Sequence, residues 1–155
     1  MALLGIGLIA QVFKDVADAM SPDINTFIYG QVWDNNGSPS NQTPTILLEA
    51  QPDWKTEGLR PSARSIKKEY TLKLFGFDTY HFDEQATKEL WEVQGELEDL
   101  FEQYIANVVN AIQAKQGWSV TLENNGFHGF YPSHNSKLLQ VYQGLRIKIP
   151  APCVI

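Results

Sequence analysis

The residues able to do chemistry are few and scattered. The chain has three histidines, His81, His128 and His134. His128 and His134 share the glycine- and aromatic-rich segment Gly126 to Ser136, and His81 stands apart. A protein-bound metal needs about three or four converging ligands. The gap from 128 to 134 matches no standard zinc spacing, and no HExxH helix is present. No GxSxG occurs, and the single cysteine, Cys153, sits in an apolar tail with no histidine near it in sequence. One cysteine also excludes an internal disulfide. Carboxylates are plentiful: Glu92 with Glu96, and Glu98 with Glu102, share helix faces at four-residue spacing. Acid–base catalysis needs one acid of a pair in an apolar pocket, so that the two pKa values separate. These acids instead form a solvated face, or line a shared opening if the protein forms a ring. Gly5-Ile6-Gly7 follows no strand and makes no nucleotide fingerprint, and Asn-Asn-Gly at 35–37 and 124–126 are hairpin-type turns. No catalytic, cofactor-binding or metal-ligating residue is assigned, and the chain is expected not to be an enzyme. A rival enzyme would have to draw on His128, His134 and a helix glutamate.

The elements that would position these residues follow from periodicity. Ile6, Ile9, Phe13, Val16, Ala17 and Met20 recur at helical spacing, with Gln11, Lys14, Asp15 and Asp18 between them. This predicts an amphipathic helix from Leu3 to Met20, ended by Ser21-Pro22-Asp23. The apolar run Ala2 to Ala10 lacks a basic flank and is far short of the roughly 20 residues that cross a bilayer, so neither a cleaved leader nor a membrane span is expected. Thr26 to Trp33 and Thr45 to Ala50 have strand composition and flank a polar turn-rich loop, Asp34 to Pro44. A connector of about fifteen residues follows, 51–66. Lys67 to Phe77 is the clearest strand: Tyr70, Leu72 and Leu74 alternate with Glu69, Thr71 and Lys73 until Phe75, where both faces become apolar. Gly76 there marks a bulge or a close approach.

The longest predicted element is a helix from an Asp83 N-cap to Lys115, with Gly117 as its C-cap glycine. At 1.5 Å per residue it would be roughly 45–50 Å long. Leu90, Val93, Leu97, Leu100, Phe101, Tyr104, Ile105, Val108 and Ile112 form its apolar stripe, and Glu84, Glu89, Glu92, Glu96, Glu98, Asp99 and Glu102 load its first two thirds with negative charge. Trp118 to Asn125 and Lys137 to Pro150 return as strands. The expectation is one α+β domain over residues 1–155, with an antiparallel or mixed sheet of about five strands packed against an N-terminal helix and one long central helix.

Partners are the remaining route to function. A formal net charge of -6 argues against a surface that grips nucleic acid. Three segments carry the candidate partner-binding residues: Asn35 and Asn36; Trp54, Arg60 and Arg64; and Phe127, His128, Phe130 and Tyr131. The aromatic loop is the most pronounced of them.

The order of elements resembles the tail terminator (tail completion) proteins of tailed bacteriophages and the related head–tail joining proteins. The stretches that carry the resemblance are the helix Leu3 to Met20; the strand and polar loop Thr26 to Pro44; the short strand Pro44-Thr45-Ile46-Leu47-Leu48; and the charged strand Glu69 to Leu74. The helix Asp83 to Lys115 and the closing strand Leu145-Arg146-Ile147-Lys148-Ile149 complete it. It spans nearly the whole chain and is one of pattern and order. It implies a structural virion protein of the tail or neck, assembled in the host cytoplasm. Such a protein forms a ring, sixfold in kind, that caps the tail tube, ends its polymerisation and joins it to the neck or head connector. Its partners would be copies of itself, the tube protein and a neck or head completion protein. DNA would pass through the lumen without specific binding, and neither cofactor nor membrane would be involved. Two alternatives are another tail or neck component (tube or sheath end) and a monomeric non-viral ligand-binding α+β module.

Overall fold

A computed structural model describes residues 4–31, 43–50, 52–57, 66–79, 89–123, 129–131 and 138–151. Its elements are α1 (Ile6–Ala19), β1 (Thr26–Gly30), β2 (Thr45–Glu49), β3 (Asp53–Glu57), β4 (Ile66–Thr79), α2 (Leu90–Gln113), β5 (Ser119–Leu122), β6 (Gly129–Tyr131) and β7 (Leu138–Ala151). The α+β class, the amphipathic first helix and the long central helix all stand.

The sheet is organised by one long ribbon. β4 and β7, each 14 residues, pair antiparallel from Ile66↔Ala151 to Thr79↔Leu138 without a break in register. Short strands flank this ribbon end to end. On the outer side of β4, β3 pairs with Lys67–Thr71 and β2 pairs with Leu74–Phe77. On the outer side of β7, β5 pairs with Leu145–Lys148 and β6 with Gln140–Tyr142. β1 lies parallel to β2 at the edge, so the sheet is mixed.

This is seven described strands where about five were expected, and both additions fall where connectors were expected. β3 lies inside 51–66, and β6 lies inside 126–136. Neither has an apolar alternation to betray it: Asp-Trp-Lys-Thr-Glu shows mostly exposed positions, and Gly-Phe-Tyr is three residues long. Their strand character comes from the free edges of the ribbon, which supply backbone partners irrespective of side chain.

The helix boundaries also differ. Glu89 has extended backbone angles, φ -71° and ψ 152°, so α2 begins at Leu90. Asp83 lies outside the described residues. A capping box opens the helix at its N-terminus: Glu89 and Glu92 each accept from the other's backbone N–H, which satisfies two donors that helix geometry leaves bare. The helix is 24 residues long, about 36 Å rather than 45–50 Å. Its C-cap is Ala114. Gly117 has φ 81°, but it belongs to the turn that follows, where the Trp118 N–H donates to the Lys115 carbonyl.

Both helices lie on one face of the ribbon. Tyr70, Leu72 and Leu74 of β4 and Val141, Leu145, Ile147 and Ile149 of β7 meet Ile9 and Phe13 of α1 and Leu97, Phe101, Tyr104, Val108 and Ile112 of α2 in one buried cluster. Gly76 is a point of close approach and not a bulge, since its register with Val141 is regular. A Cβ there would lie 2.8 Å from the Phe101 ring and 2.9 Å from a Val141 methyl. The break in alternation at Phe75 has a structural counterpart: Leu47, Phe75 and Phe77 form a second buried cluster with Ile28 and Tyr142 against it.

Tyr104 ties the two helices. It is fully buried, its hydroxyl donates to the Phe13 carbonyl at 2.7 Å, and its ring lies 6.4 Å from that of Phe13. Burial, and secondarily the negative charge of Asp18, raise its pKa well above the ordinary tyrosine value of 10.0. The folded pKa is raised above the unfolded one, so the associated stability is intact below about pH 10 and falls as pH rises further. Thermal midpoints should drop more steeply above pH 10 in the wild type than in Tyr104→Phe. Tyr104→Phe itself should cost about 0.5–1.5 kcal/mol at neutral pH. Equal alkaline slopes would exclude Tyr104 as the titrating group.

Candidate interaction surfaces

The sheet face opposite the helices splits into two halves. At the β2–β6 end it is the small apolar cluster around Phe77. At the β3–β5 end it is polar, because register places Lys55, Glu69, Thr71, Ser119, Thr121, Arg146 and Lys148 on the side away from the core, while Thr56 and Lys68 fall on the helix side. Register sets Lys55, Glu69, Lys148 and Ser119 in one cross-strand row, and Asp53, Thr71, Arg146 and Thr121 in the next. Lys55 Nζ lies 3.5 Å and Lys148 Nζ 3.6 Å from the carboxylate of Glu69, which is 13% exposed between them. Arg146 Nε lies 3.7 Å from Glu123. Glu69, Ser119, Thr121, Arg146 and Lys148 line a cleft of about 270 Å³. Two cations on alternate residues of β7 therefore stand opposite two hydroxyls on β5. The Glu69 carboxylate lines the same cleft between the two lysines, so the cations there are paired within the chain.

The outer surface of α2 is its electrostatic opposite. Glu89, Glu92, Glu96, Glu98, Asp99 and Glu102 are all exposed, and the helix contains no lysine or arginine. Trp91 stands among them with 68% of its surface exposed. Gly95 sits one turn on, exposed, and a Cβ there would meet nothing within 4 Å. Glycine costs about 1 kcal/mol relative to alanine in a helix interior. No described residue packs against that position, so Gly95→Ala should raise the unfolding free energy by about 1 kcal/mol in urea titration. A neutral or negative change would reveal an internal role for the glycine.

The structure treats the sequence-derived candidates unevenly. Trp54 is 62% exposed on β3, with the Lys68 ammonium 5.5 Å from its ring centroid. It remains a candidate contact. Phe130 and Tyr131 are placed by backbone in β6, opposite Val141 and Gln140. Asn35, Asn36, Arg60, Arg64, Phe127 and His128 lie outside the described residues, as do His81, His134 and Cys153. Trp91 and Gly95 are not among the sequence-derived candidates, and Arg146 and Lys148 enter there only as the polar positions of the closing strand. Trp91 was the detectable one, because it falls off the apolar stripe of its own helix.

A cleft of about 230 Å³ also opens beside the end of α1, lined by Ala17, Asp18, Ser21, Ile24, Asn25, Thr26 and Phe27. It holds one carboxylate and no cation. Among the described residues no group of three or more His, Cys, Asp or Glu is placed to hold a metal ion. No described helix is long and apolar enough to cross a membrane, which leaves strands out of account. No protein-family model matches the chain, and no curated protein matches it with significant similarity.

Proposed function

We propose that this chain is a structural subunit of a tailed-bacteriophage virion. In this reading it forms a closed ring that caps the tail tube, stops its growth and presents a surface to the neck or head connector. The observation that carries the reading is the pairing of two unlike, outward-facing surfaces on one small domain. An acidic helix ridge with an exposed tryptophan lies on one side, and a cation-bearing sheet face lies on the other. Such a domain is built for contacts with other chains, and unlike faces favour a head-to-tail arrangement that symmetry closes into a ring. The element order, helix then strands then long helix then strands, supports the terminator assignment through its resemblance to that family. Self, the tube protein and a neck or head completion protein are the partners. DNA passes through the lumen without being gripped, in keeping with the net charge of -6. The role is structural and not catalytic, and it is exercised in the tail or neck after assembly in the host cytoplasm.

Native mass spectrometry of the full chain across concentration, paired with negative-stain images, tests this. A closed ring of about six copies is the expected result. A chain that stays monomeric at every concentration, or that closes only as a two-fold dimer, overturns it.

A further inference from the structure

We propose that the start of α1 is a binding site for a small oxyanion, a carboxylate or phosphate group. The backbone N–H groups of Gly5 and Ile6, the Tyr70 hydroxyl and the Lys68 ammonium hold it. This goes beyond the ring reading and does not depend on it.

The first observation is an orphaned hydroxyl. Tyr70 is only 4% exposed, yet its hydroxyl has no hydrogen-bond partner among the described residues. A buried polar group without a partner is uncommon and costs stability. Burial raises its pKa above the ordinary tyrosine value of 10.0, so at neutral pH it is a protonated donor. The hydroxyl also has a definite aim. Its oxygen lies 2.7 Å, and its ring carbon Cζ 3.9 Å, from the place a Cβ would take on Gly5. The glycine leaves that space open.

The second observation is the helix end at which the hydroxyl aims. α1 is 14 residues long and Gly5 is its N-cap; no side chain caps it, and its first turn holds no acid. Gly7 and Leu8 donate to the carbonyls of Leu4 and Gly5. The N–H groups of Gly5 and Ile6 have no acceptor among the described residues. They stand at the positive end of the helix dipole.

The third observation is charge. On the helix side of β3 and β4 at this end, register places Trp54, Thr56, Lys68 and Tyr70, with no acid among them. Lys68 and Tyr70 are alternate residues of one strand, so their side chains rise from the same face. Lys68 forms no ion pair among the described residues, and its ammonium rests 5.5 Å from the Trp54 ring centroid. Asp53 and Glu69 fall on the opposite face, where Glu69 is held by Lys55 and Lys148. An oxyanion at the N-cap would accept from the helix N–H groups and from Tyr70, and Lys68 would supply the opposite charge.

The test titrates the full chain with inorganic phosphate and, separately, with acetate, each against chloride at matched ionic strength. Thermal midpoints and amide NMR spectra are recorded. At least one of the two anions should raise the wild-type midpoint as a ligand does, and should move the Gly5 and Ile6 amide signals with one dissociation constant. A response to phosphate alone assigns the site to a tetrahedral anion; a response to acetate alone assigns it to a carboxylate. Tyr70→Phe should be at least as stable as the wild type in chloride, because it removes an unsatisfied group, yet bind the anion roughly tenfold more weakly. Lys68→Gln should weaken binding several-fold. Lys73→Gln, which removes a cation from the opposite face, should leave binding unchanged.

Three results overturn the site. Neither anion moves the Gly5 and Ile6 signals. Wild type and Tyr70→Phe respond alike, which marks a general effect of the salt on the folded surface. Tyr70→Phe is destabilised in chloride, which means that the hydroxyl already has a partner within the chain.

Discussion

Phe101→Ala should lower the unfolding free energy by about 3–5 kcal/mol, a large part of the 5–15 kcal/mol that holds a domain of this size together. Phe101 is fully buried at the middle of α2. Its ring edge lies over Gly76 of the sheet. Removing the ring leaves a void that both neighbours resist filling: α2 is held along its length by Leu97, Tyr104 and Val108, and β4 is held by 14 register pairs with β7. The cost therefore falls in the range for cavities that collapse poorly. Urea titration should show a lower midpoint with an unchanged slope. A loss below about 1 kcal/mol would mean that the contact is loose and that the placement of α2 over Gly76 is wrong.

Gly76→Ala is the second large effect, and its sign decides between two arguments. Backbone propensity alone favours the substitution, since glycine in a strand interior costs about 0.5–1 kcal/mol relative to alanine. Packing opposes it. The added Cβ would sit 2.8 Å from Phe101 Cδ1 and 2.9 Å from Val141 Cγ2. A buried aromatic ring and a stiff β-branched side chain cannot yield without moving α2 or β7. Overpacking of this kind costs about 1–3 kcal/mol, so packing should win and the variant should be destabilised. The two substitutions are also coupled. In a Phe101→Leu background the space over residue 76 opens, and Gly76→Ala should then cost less than it does in the wild type. Strict additivity in that double-mutant cycle would show that residues 76 and 101 do not touch.

The two variants bear on function as well as stability. α2 presents its acidic ridge only because its opposite stripe is pinned to the ribbon. A change that lifts α2 should weaken assembly together with stability.

Several features were legible along the chain because they are local. Helical spacing from Ile6 to Met20 and from Leu90 to Ile112 placed both helices and their buried faces, since a period of 3.6 leaves no other way to gather those side chains. Period-two alternation from Glu69 to Leu74 placed β4, and its break at Phe75 signalled that both faces of the strand become apolar at that end. Boundaries were less legible. The long helix starts at Leu90 because Glu89 and Glu92 cap each other there, and an acid-rich stretch offers several carboxylates of equal appearance. β3 and β6 were illegible for a different reason. Asp53–Glu57 and Gly129–Tyr131 are strands because β4 and β7 present unpaired backbone beside them, which is a property of neighbours distant in sequence.

The candidate surfaces divide in the same way. The sequence by itself determined that α2 is acidic on its outer face, because charge and helical period are both written locally. Only the tertiary structure decided that Lys55, Glu69, Lys148 and Ser119 form one row, with Arg146 and Thr121 in the next. These residues come from four strands spread from position 55 to position 148. Strand register brings them together, and register is fixed by which residues of β4 and β7 bury against the helices. A one-residue slip would turn the cation array into the core and Leu145 and Ile147 into solvent. The hydrophobic face thus fixes the polar one, and that constraint exists only once the ribbon is paired.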